Sequence, residues 1–592
     1  MKGGIKMRKF LLLVLISTLF VLFTFLFFSR SSVAIQEEYS LQKDFVPNEV
    51  LVKFKKDLGK YFIKNAIDSV QGKIITYLGE EIRTLQWNPE LYSYRSFLLD
   101  SDLFHLKVPE AIGTDQAIYL LNLNPNVEYA ERNMILHLCT EPNDGGFKYQ
   151  WGLHNEGNED QGSGTFDADI DAPEAWDIFT GSSDIVVAVI DTGVDYMHDD
   201  LELNIWKNPG ESGNGKETDG IDNDGNGYED DFRGWNFAYG NNNPWDDNGH
   251  GTHCSGIIGA VGNNNSSEDG IAGINWNVKI MALKSLNNLG GGDVATAIHA
   301  IDYATNNGAH LSNNSYAWNY DDADLVENYW SLYGAINRAK NAGKLFIAAA
   351  GNTSDFPYPN NDYSPVYPAS YDLDNIIAVS ATDHNDCLPS YSHYGVYSVD
   401  LGAPGGLGDD PIAADIYSTV PNQDYGYKYG TSFASPHVAG VAALVMGDRP
   451  SLSWWQLKTI IMDSTDPKSS LYGKVRTGGR LNAYNAITES TPDLPAAPSN
   501  LKAEGYCFMI KLTWTDNSNN EQGFKIYRKS GNFWYYLNQV GANVTTFWDL
   551  ELPPSQLFNY KVRAYNQDGN SPASNADGDR TLPLKECGEW WK

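Results

Sequence analysis

The sequence predicts an α/β protein whose main domain is a largely parallel sheet with helices on both faces, preceded by a small α/β unit and followed by an all-β sandwich. Three observations carry this prediction. Between Trp151 and about Ile487, near-continuous apolar runs alternate with helical stretches, as buried parallel strands with crossover helices require. Upstream lie shorter strand-like runs around a helical segment. Downstream of a Pro-rich stretch the pattern changes to strict period-two alternation, the signature of half-buried antiparallel strands.

Taken in order, residues 1–34 carry Lys2, Lys6, Arg8 and Lys9, then an apolar run from Phe10 to Phe28, then Ser32-Val33-Ala34. That order of charge, apolar run and small residues reads as a secretory signal cut near Ala34. The run is long for a signal, so an uncleaved anchor is the alternative. The protein is accordingly expected to be secreted, or else membrane-anchored with extracytoplasmic domains, and a membrane is a partner only if the segment stays uncleaved. Residues 35–140 hold strands at Val50–Phe54, Leu103–Val108 and Val127–Ala130 and a helix at Asp115–Leu123, with a polar linker from Glu141 to Gly146. Residues 141–490 form the main domain, with strands at Asp184–Ile190, Lys344–Ala350 and Ile376–Val379. Residues 491–498 are a Pro-rich spacer. Residues 499–592 contain the alternating strands Ile510–Trp514, Gly523–Arg528 and Tyr560–Tyr565.

Composition narrows the function. Of 592 residues, 75 are Asp or Glu and 42 are Lys or Arg, for a net charge of -33. This surface offers no basic face to a phosphate backbone, so no nucleic-acid partner is expected. The five cysteines are widely spaced without a Cys-x-x-Cys pair, which excludes a disulfide scaffold and the common zinc patterns. Cys507 and Cys587 bracket the C-terminal module and can pair if the chain is exported.

In open parallel sheets, ligands bind beyond the carboxyl ends of the strands. Asp191 follows the strand ending at Ile190, while His250 and Ser432 each open a run of small residues that reads as a helix. A serine hydroxyl becomes a nucleophile when an imidazole accepts its proton, and a buried carboxylate supports the imidazolium that results. Asn352, directly after the strand in Ala348-Ala349-Ala350-Gly351-Asn352, offers an amide to a developing oxyanion, with the Ser432 N–H as second donor. Alone, an Asp at a strand end is a turn former and a Ser opening a helix is an N-cap. The pair His250 and His253 also suggests a metal, but the Glu that a His-Glu-x-x-His site needs is missing after His250.

Together, Asp191-Thr192-Gly193, His250-Gly251-Thr252-His253 and Gly430-Thr431-Ser432-Phe433-Ala434-Ser435-Pro436-His437 resemble the three signatures of the subtilisin-like serine proteases, in that family's order. Phe433 stands where the family usually has Met. The resemblance implies a serine endopeptidase acting on polypeptides through an acyl-enzyme, with Asp191, His250 and Ser432 as triad and Asn352 at the oxyanion. It implies a substrate groove at Gly290, Gly291, Gly292, Ser315, Tyr316, Ala317, Ala350 and Gly351, pairing an extended peptide as an added strand. The glycine run reads equally as a surface turn. Val366 falls near the base of the primary specificity pocket, which implies an apolar or aromatic residue before the scissile bond. The unit 35–140 resembles a propeptide that assists folding and inhibits its own enzyme until cut away. The C-terminal module resembles fibronectin type III.

One acidic loop points to structural, non-catalytic calcium. Asp222, Asp224 and Asn226 occupy the first, third and fifth positions, Gly227 the sixth and Tyr228 the seventh, as a calcium loop begins. Arg233 stands where a bidentate Glu belongs, leaving Asp231 or Asp230 to substitute. By resemblance, Asp200 is a ligand at a second calcium site.

Overall fold

The computed structural model describes residues 45–55, 66–67, 69–70, 73–76, 83–84, 103–134, 140–264, 270–319, 330–531 and 533–587. The expected signal lies outside them. Among the described residues no helix is long and apolar enough to cross a membrane. By contacts the chain divides into two compact units, Met1–Leu138 and Cys139–Lys592, so the main domain and the module beyond the Pro-rich spacer fall in one unit.

The first unit contains β1 (Phe45–Phe54), β2 (Lys73–Thr76), β3 (Arg83–Thr84), β4 (Leu103–Lys107), helix α1 (Thr114–Asn122) and β5 (Val127–Met134). Its sheet has the order β3-β2-β4-β1-β5, with antiparallel pairing of β1 to β4 and β5. Alternate residues Val50, Val52 and Phe54 meet Phe104, Leu106, Ala117 and Leu121 in one buried core, as period-two strands under an amphipathic helix must.

The second unit is built on β6 (Val186–Asp191), β7 (Gly234–Asn236), β8 (Lys279–Lys284), β9 (Leu311–Asn314), β10 (Trp318–Asn319), β11 (Leu345–Ala349), β12 (Val366–Tyr367), β13 (Ile376–Thr382), β14 (Leu401–Pro404), the hairpin β15 (Ile416–Val420) and β16 (Asp424–Lys428), and edge strands β17 (Asp466–Pro467) and β18 (Gly479–Arg480). Nine of these form one sheet in the order β17-β18-β14-β13-β11-β9-β6-β8-β7. All its pairings are parallel except the edge pair β17 and β18. The sheet is buried on both faces. Val187, Val189, Ile347 and Val379 face helices α2 (His250–Gly259) and α5 (Thr431–Asp448), whereas Ala188, Ile190, Phe346 and Ala348 face α3 (Val294–Asn306) and α4 (Trp330–Asn341). Each of the valines, isoleucines and phenylalanine among them contributes about 1.5–3 kcal/mol through removal from water. The largely apolar composition of β6, β11 and β13 follows directly from that double burial.

After the spacer, β19 (Ser499–Tyr506), β20 (Met509–Thr515) and β23 (Thr546–Asp549) form one antiparallel sheet, and β21 (Gly523–Ser530), β22 (Phe533–Gly541), β24 (Leu557–Asn566), β25 (Gly569–Asn570) and β26 (Asp577–Arg580) a second. Their inner faces share a core of Leu512, Trp514, Phe524, Ile526, Tyr560 and Val562. Cys507 and Cys587 are joined as a disulfide across this module.

Candidate active site

Asp191 is the last residue of β6 and is fully buried. Its Oδ1 accepts the Nδ1–H of His250 at 2.8 Å and the N–H of Thr192 at 2.7 Å. Burial lowers the pKa of His250, but the charge of Asp191 and this hydrogen bond outweigh it and hold the imidazole above its ordinary 6.5. His250 opens α2, and a Cβ on the following Gly251 would lie 2.2 Å from the Gly193 carbonyl oxygen. Only glycine lets that helix approach the Asp191 turn so closely. His253 faces elsewhere, its Nε2–H shared between the carbonyls of Ile416 at 3.0 Å and Gly426 at 3.1 Å. The two histidines therefore serve different partners.

Ser432 lies in the first turn of α5, where aligned peptide dipoles favour negative charge. Pro436 sits inside that helix and has no N–H to return to residue 432. The Ser432 carbonyl instead accepts the Ser315 hydroxyl at 2.7 Å and the Cys254 thiol at 3.4 Å, which ties the serine to both β9 and α2. The Ser432 hydroxyl donates to the Ser315 carbonyl at 3.3 Å. Phe433 places its ring 5.1 Å from that of His250 and 4.6 Å from that of His253, so the larger side chain at this position packs against both imidazoles. Asn352 accepts the Thr431 N–H at 3.0 Å and the Thr431 hydroxyl at 3.2 Å through Oδ1, which leaves Nδ2 as its donor end. Gly430 between them takes φ +137°, and a Cβ there would come within 3.5 Å of that Nδ2.

The remaining groove candidates frame these groups. Gly290 has φ +77° in a turn closed by Asn287 N–H to the Gly291 carbonyl at 2.8 Å. Gly291 and Gly292 lie exposed beside it, and Asn248 Nδ2 donates to the Asn288 carbonyl at 3.1 Å, linking this turn to the segment before His250. Ser315 is buried, while Tyr316 and Ala317 are partly exposed. Ala350 N–H donates to the Val379 carbonyl at 2.9 Å and Gly351 N–H to the Thr431 hydroxyl at 3.1 Å. Val366 is fully buried, its Cγ1 3.2 Å from where a Cβ on Gly351 would stand.

Residues 182–500, just over half of the chain, match the model of the subtilase family. The chain belongs to the subtilases. It is 34% identical over 424 residues to a thermophilic serine proteinase of Bacillus sp. (strain AK1), covering 71% of this chain and 88% of that one. It is 36% identical over 318 residues to thermitase of Thermoactinomyces vulgaris, covering 54% and 93%. A solved protease structure from Pseudoalteromonas arctica PAMC 21717 covers 59% of this chain and 99% of its own at 28% identity, with a TM-score of 0.44. The protein is a subtilisin-like serine endopeptidase, and its substrates are polypeptides.

This subtilase also gathers acidic side chains away from Ser432. Oxygens of Glu211, Asp224 and Asp231 lie within 4.8 Å of one another, with Glu211 and Asp231 buried. Asn208 Nδ2 bridges Asp224 at 2.9 Å and Asp231 at 2.7 Å, and Asn226 Nδ2 reaches Asp231 at 2.8 Å. Burial raises the pKa of Asp231 above the usual carboxylate value, hydrogen bonds from Tyr303, Asn226 and Asn208 oppose this, and the nearby Asp224 charge adds to it. An all-oxygen set holding buried like charges fits a hard cation. The sequence-derived ligand set is divided by the fold. Asp224 and Asp231 join the trio, whereas Asp222 turns its oxygens to the N–H groups of Gly225, Asn226 and Gly227 at 2.8, 3.1 and 2.8 Å. Tyr228 packs its ring against Trp235, Phe237 and Tyr303, and Asp230 accepts the Gly220 N–H at 2.9 Å. Asp200 lies in a second place, accepting from Asn264 at 2.8 Å, Ile271 at 2.9 Å and Tyr425 at 2.8 Å. Nearby Asp144 is buried and its Oδ1 has no hydrogen-bond partner among the described residues.

Asp246 escaped the reading of the sequence, because the residue directly before α2 is Gly249 and no local signal marks an Asp three positions earlier. Its Oδ1 accepts the N–H groups of Asn248 at 3.0 Å and Gly249 at 2.9 Å and the Thr192 hydroxyl at 2.9 Å. Its Oδ2 accepts the N–H and hydroxyl of Thr252 at 2.9 and 2.7 Å. One buried carboxylate thus joins the Asp191 turn to the start of α2. Asp246→Ala is expected to cost about 2–4 kcal/mol in denaturant unfolding, through the donors left unpaired, and to lower kcat more than it raises KM. Wild-type stability and kcat in that variant would show that the carboxylate holds neither element.

Proposed function

We propose that this subtilase is a secreted zymogen that cleaves polypeptides with Asp191, His250 and Ser432, and that structural calcium supports its fold. The observation that carries the reading is the 2.8 Å bond from His250 Nδ1 to the buried Asp191, with the imidazole 5.1 Å from the ring of Phe433, the residue after Ser432 in the first turn of α5. That bond fixes the tautomer with Nε2 unprotonated, the form that can accept a proton. In the reaction the Ser432 hydroxyl leaves the Ser315 carbonyl, gives its proton to His250 Nε2, and Oγ bonds to the scissile carbonyl carbon. The carbonyl π electrons move onto its oxygen, which Asn352 Nδ2 and the Ser432 N–H stabilise. Collapse breaks the C–N bond, the amine leaves with the proton from His250, and water then hydrolyses the acyl-Ser432 with His250 again as base.

The substrate is read as an extended strand beside Gly290, Gly291 and Gly292 on one side and Ser315, Tyr316 and Ala317 on the other, with Ala350, Gly351 and Val366 forming an apolar pocket for the residue before the scissile bond. The first unit is read as an inhibitory propeptide, a reading supported by its separate core and by the slow folding of a mostly parallel sheet. Secretion is supported by the charge-then-apolar order of the N-terminus and by the disulfide of Cys507 with Cys587. The C-terminal module is read as fibronectin type III-like on its two antiparallel sheets around Trp514 and Tyr560. Calcium would be held by Glu211, Asp224 and Asp231, and at a second place by Asp200 and Asp144, where it would neutralise buried carboxylates and stiffen the loops.

A fluorophosphonate probe is expected to label the chain once the first unit is removed, and Ser432→Ala to abolish labelling; an unlabelled processed wild type would sink the reading. Because His250 must be neutral to act and its pKa is raised, kcat/KM should fall on the acid side with a midpoint above 6.5. A profile flat through that region would contradict the assignment. Removing a cation present at about 100 times its Kd costs about 2.7 kcal/mol. Chelation should therefore lower Tm, with activity lost only as the fold opens. In Glu211→Gln/Asp231→Asn most of the calcium dependence of Tm should vanish; full retention would move the site elsewhere.

A further inference from the structure

The C-terminal module meets the peptidase domain at the loop whose first residue is Val366. Val366 and Tyr367 form β12, which pairs antiparallel with Asn319 and Trp318 of β10, directly after Ser315-Tyr316-Ala317. From there the chain folds back on itself. The Ser370 N–H donates to the Val366 carbonyl at 2.9 Å, and the Val366 N–H donates to the Ser370 hydroxyl at 3.2 Å. Tyr371 packs tilted at 4.7 Å from the Tyr367 ring and edge-on at 5.6 Å from Tyr333, and its N–H donates to the Pro368 carbonyl at 3.1 Å. These contacts tie Val366 and Tyr367 to Ser370 and Tyr371, which Asp372 and Asp374 directly follow in the same loop.

The module supplies the hydrogen bonds to those two aspartates, with Lys340 of α4 also 3.9 Å from Asp374 Oδ2. Lys561 Nζ donates to Asp372 Oδ1 at 2.8 Å, Arg563 Nη2 to Asp374 Oδ1, and the Ala573 N–H to Asp374 Oδ2 at 2.8 Å. Lys561 and Arg563 are alternate residues of β24, so they leave one face of the strand, while Tyr560, Val562 and Ala564 turn into the module's own core. Both pairs span the same sequence separation of 189 residues, which makes them two rungs in register. The cations are preset from inside the module. Lys561 lies 4.7 Å over the Trp534 ring, and Arg563 Nη1 donates to the Ser571 carbonyl at 2.9 Å. Asp372, Asp374, Lys561 and Arg563 themselves line an open cleft shared with Tyr371 and Trp534, so the charged pairs face this cleft between loop and module. Asp372 is exposed, its side chain at 46%, whereas Arg563 and Asp374 are mostly enclosed at 21% and 14%, so the Arg563 rung is the one whose loss leaves a desolvated charge short of a partner.

We infer that Lys561 and Arg563 are positioning residues for the primary specificity pocket, setting the Val366 wall by clamping Asp372 and Asp374. The inference rests on reading Val366 as part of that wall. The test uses the processed, full-length enzyme and a peptide series varied at the residue before the scissile bond. Val366→Phe should shift selectivity toward small residues there; unchanged selectivity would remove the groove reading and overturn the inference with it. Arg563→Met should keep its fluorophosphonate labelling stoichiometry and kcat, raise KM for large apolar residues by about threefold to tenfold, and narrow the preference between large and small ones. If Arg563→Met does not accumulate folded, Arg563→Lys, which keeps the charge and loses the fork, should show the same direction. A responsive Val366→Phe beside an Arg563 variant of wild-type KM and selectivity would overturn the inference while leaving the groove reading intact.

Discussion

Asp191 is fully buried, and a carboxylate without access to water is stable only if the imidazole and backbone donors around it stay in place. Much of the molecule can be read as the means of meeting that condition. β6 delivers Asp191 from the middle of a nine-stranded sheet, where neighbours on both sides prevent the strand from shifting register. Lys284, paired with Asp191 across β6 and β8, is itself buried and sends its ammonium to the Thr192 carbonyl and to Asp247. Asp246 closes the same ring from the α2 side through the Thr192 hydroxyl. The Asp191 turn and the His250 turn are thereby tied by a buried cation and a buried anion.

The same logic extends to Ser432, which is reached by a different element. A proline in the second turn of α5 leaves a carbonyl without its helical donor, and that carbonyl becomes the attachment point for Ser315 and Cys254. A defect in the helix is thus converted into a joint between α5, β9 and α2. Small residues make the joint possible. A Cβ on Gly440 would press on Ile274 at 2.8 Å, so the apolar helix lies directly against its neighbours and its N-terminal turn is held as firmly as the sheet.

What could be read from the chain was whatever is local. The apolar runs predicted strands at 184–190, 344–350 and 376–379, and the structure has them at 186–191, 345–349 and 376–382, because double burial demands continuous apolar sequence. Asp191, His250, Ser432 and Asn352 stood out since each begins or follows a regular element. What escaped was contributed by distant segments. Glu211 joins Asp224 and Asp231 from outside the acidic loop, while Asp222, first in the calcium-like spacing, is taken up by the loop's own amides. Spacing alone cannot distinguish a carboxylate that closes a turn from one that faces a cation, because both need oxygen at the same positions.

The C-terminal module makes the same point at larger scale. Its period-two strands were legible, and alternation implied only that one face of β24 is buried and the other polar. Nothing local distinguishes Lys561 and Arg563 from solvated surface charges; their meaning comes from Asp372 and Asp374, 189 residues earlier. Three cations outside its own loop then hold the Asp374 carboxyl well below the usual carboxylate range: burial opposes its charge, but Arg563, Lys561 and Lys340 together outweigh it. A linker followed by a sandwich suggests an independent appendage, yet the ionic rungs make the module part of the frame that supports the loop beginning at Val366. The domain that follows the protease in sequence is, in its contacts, continuous with the loop that begins at Val366.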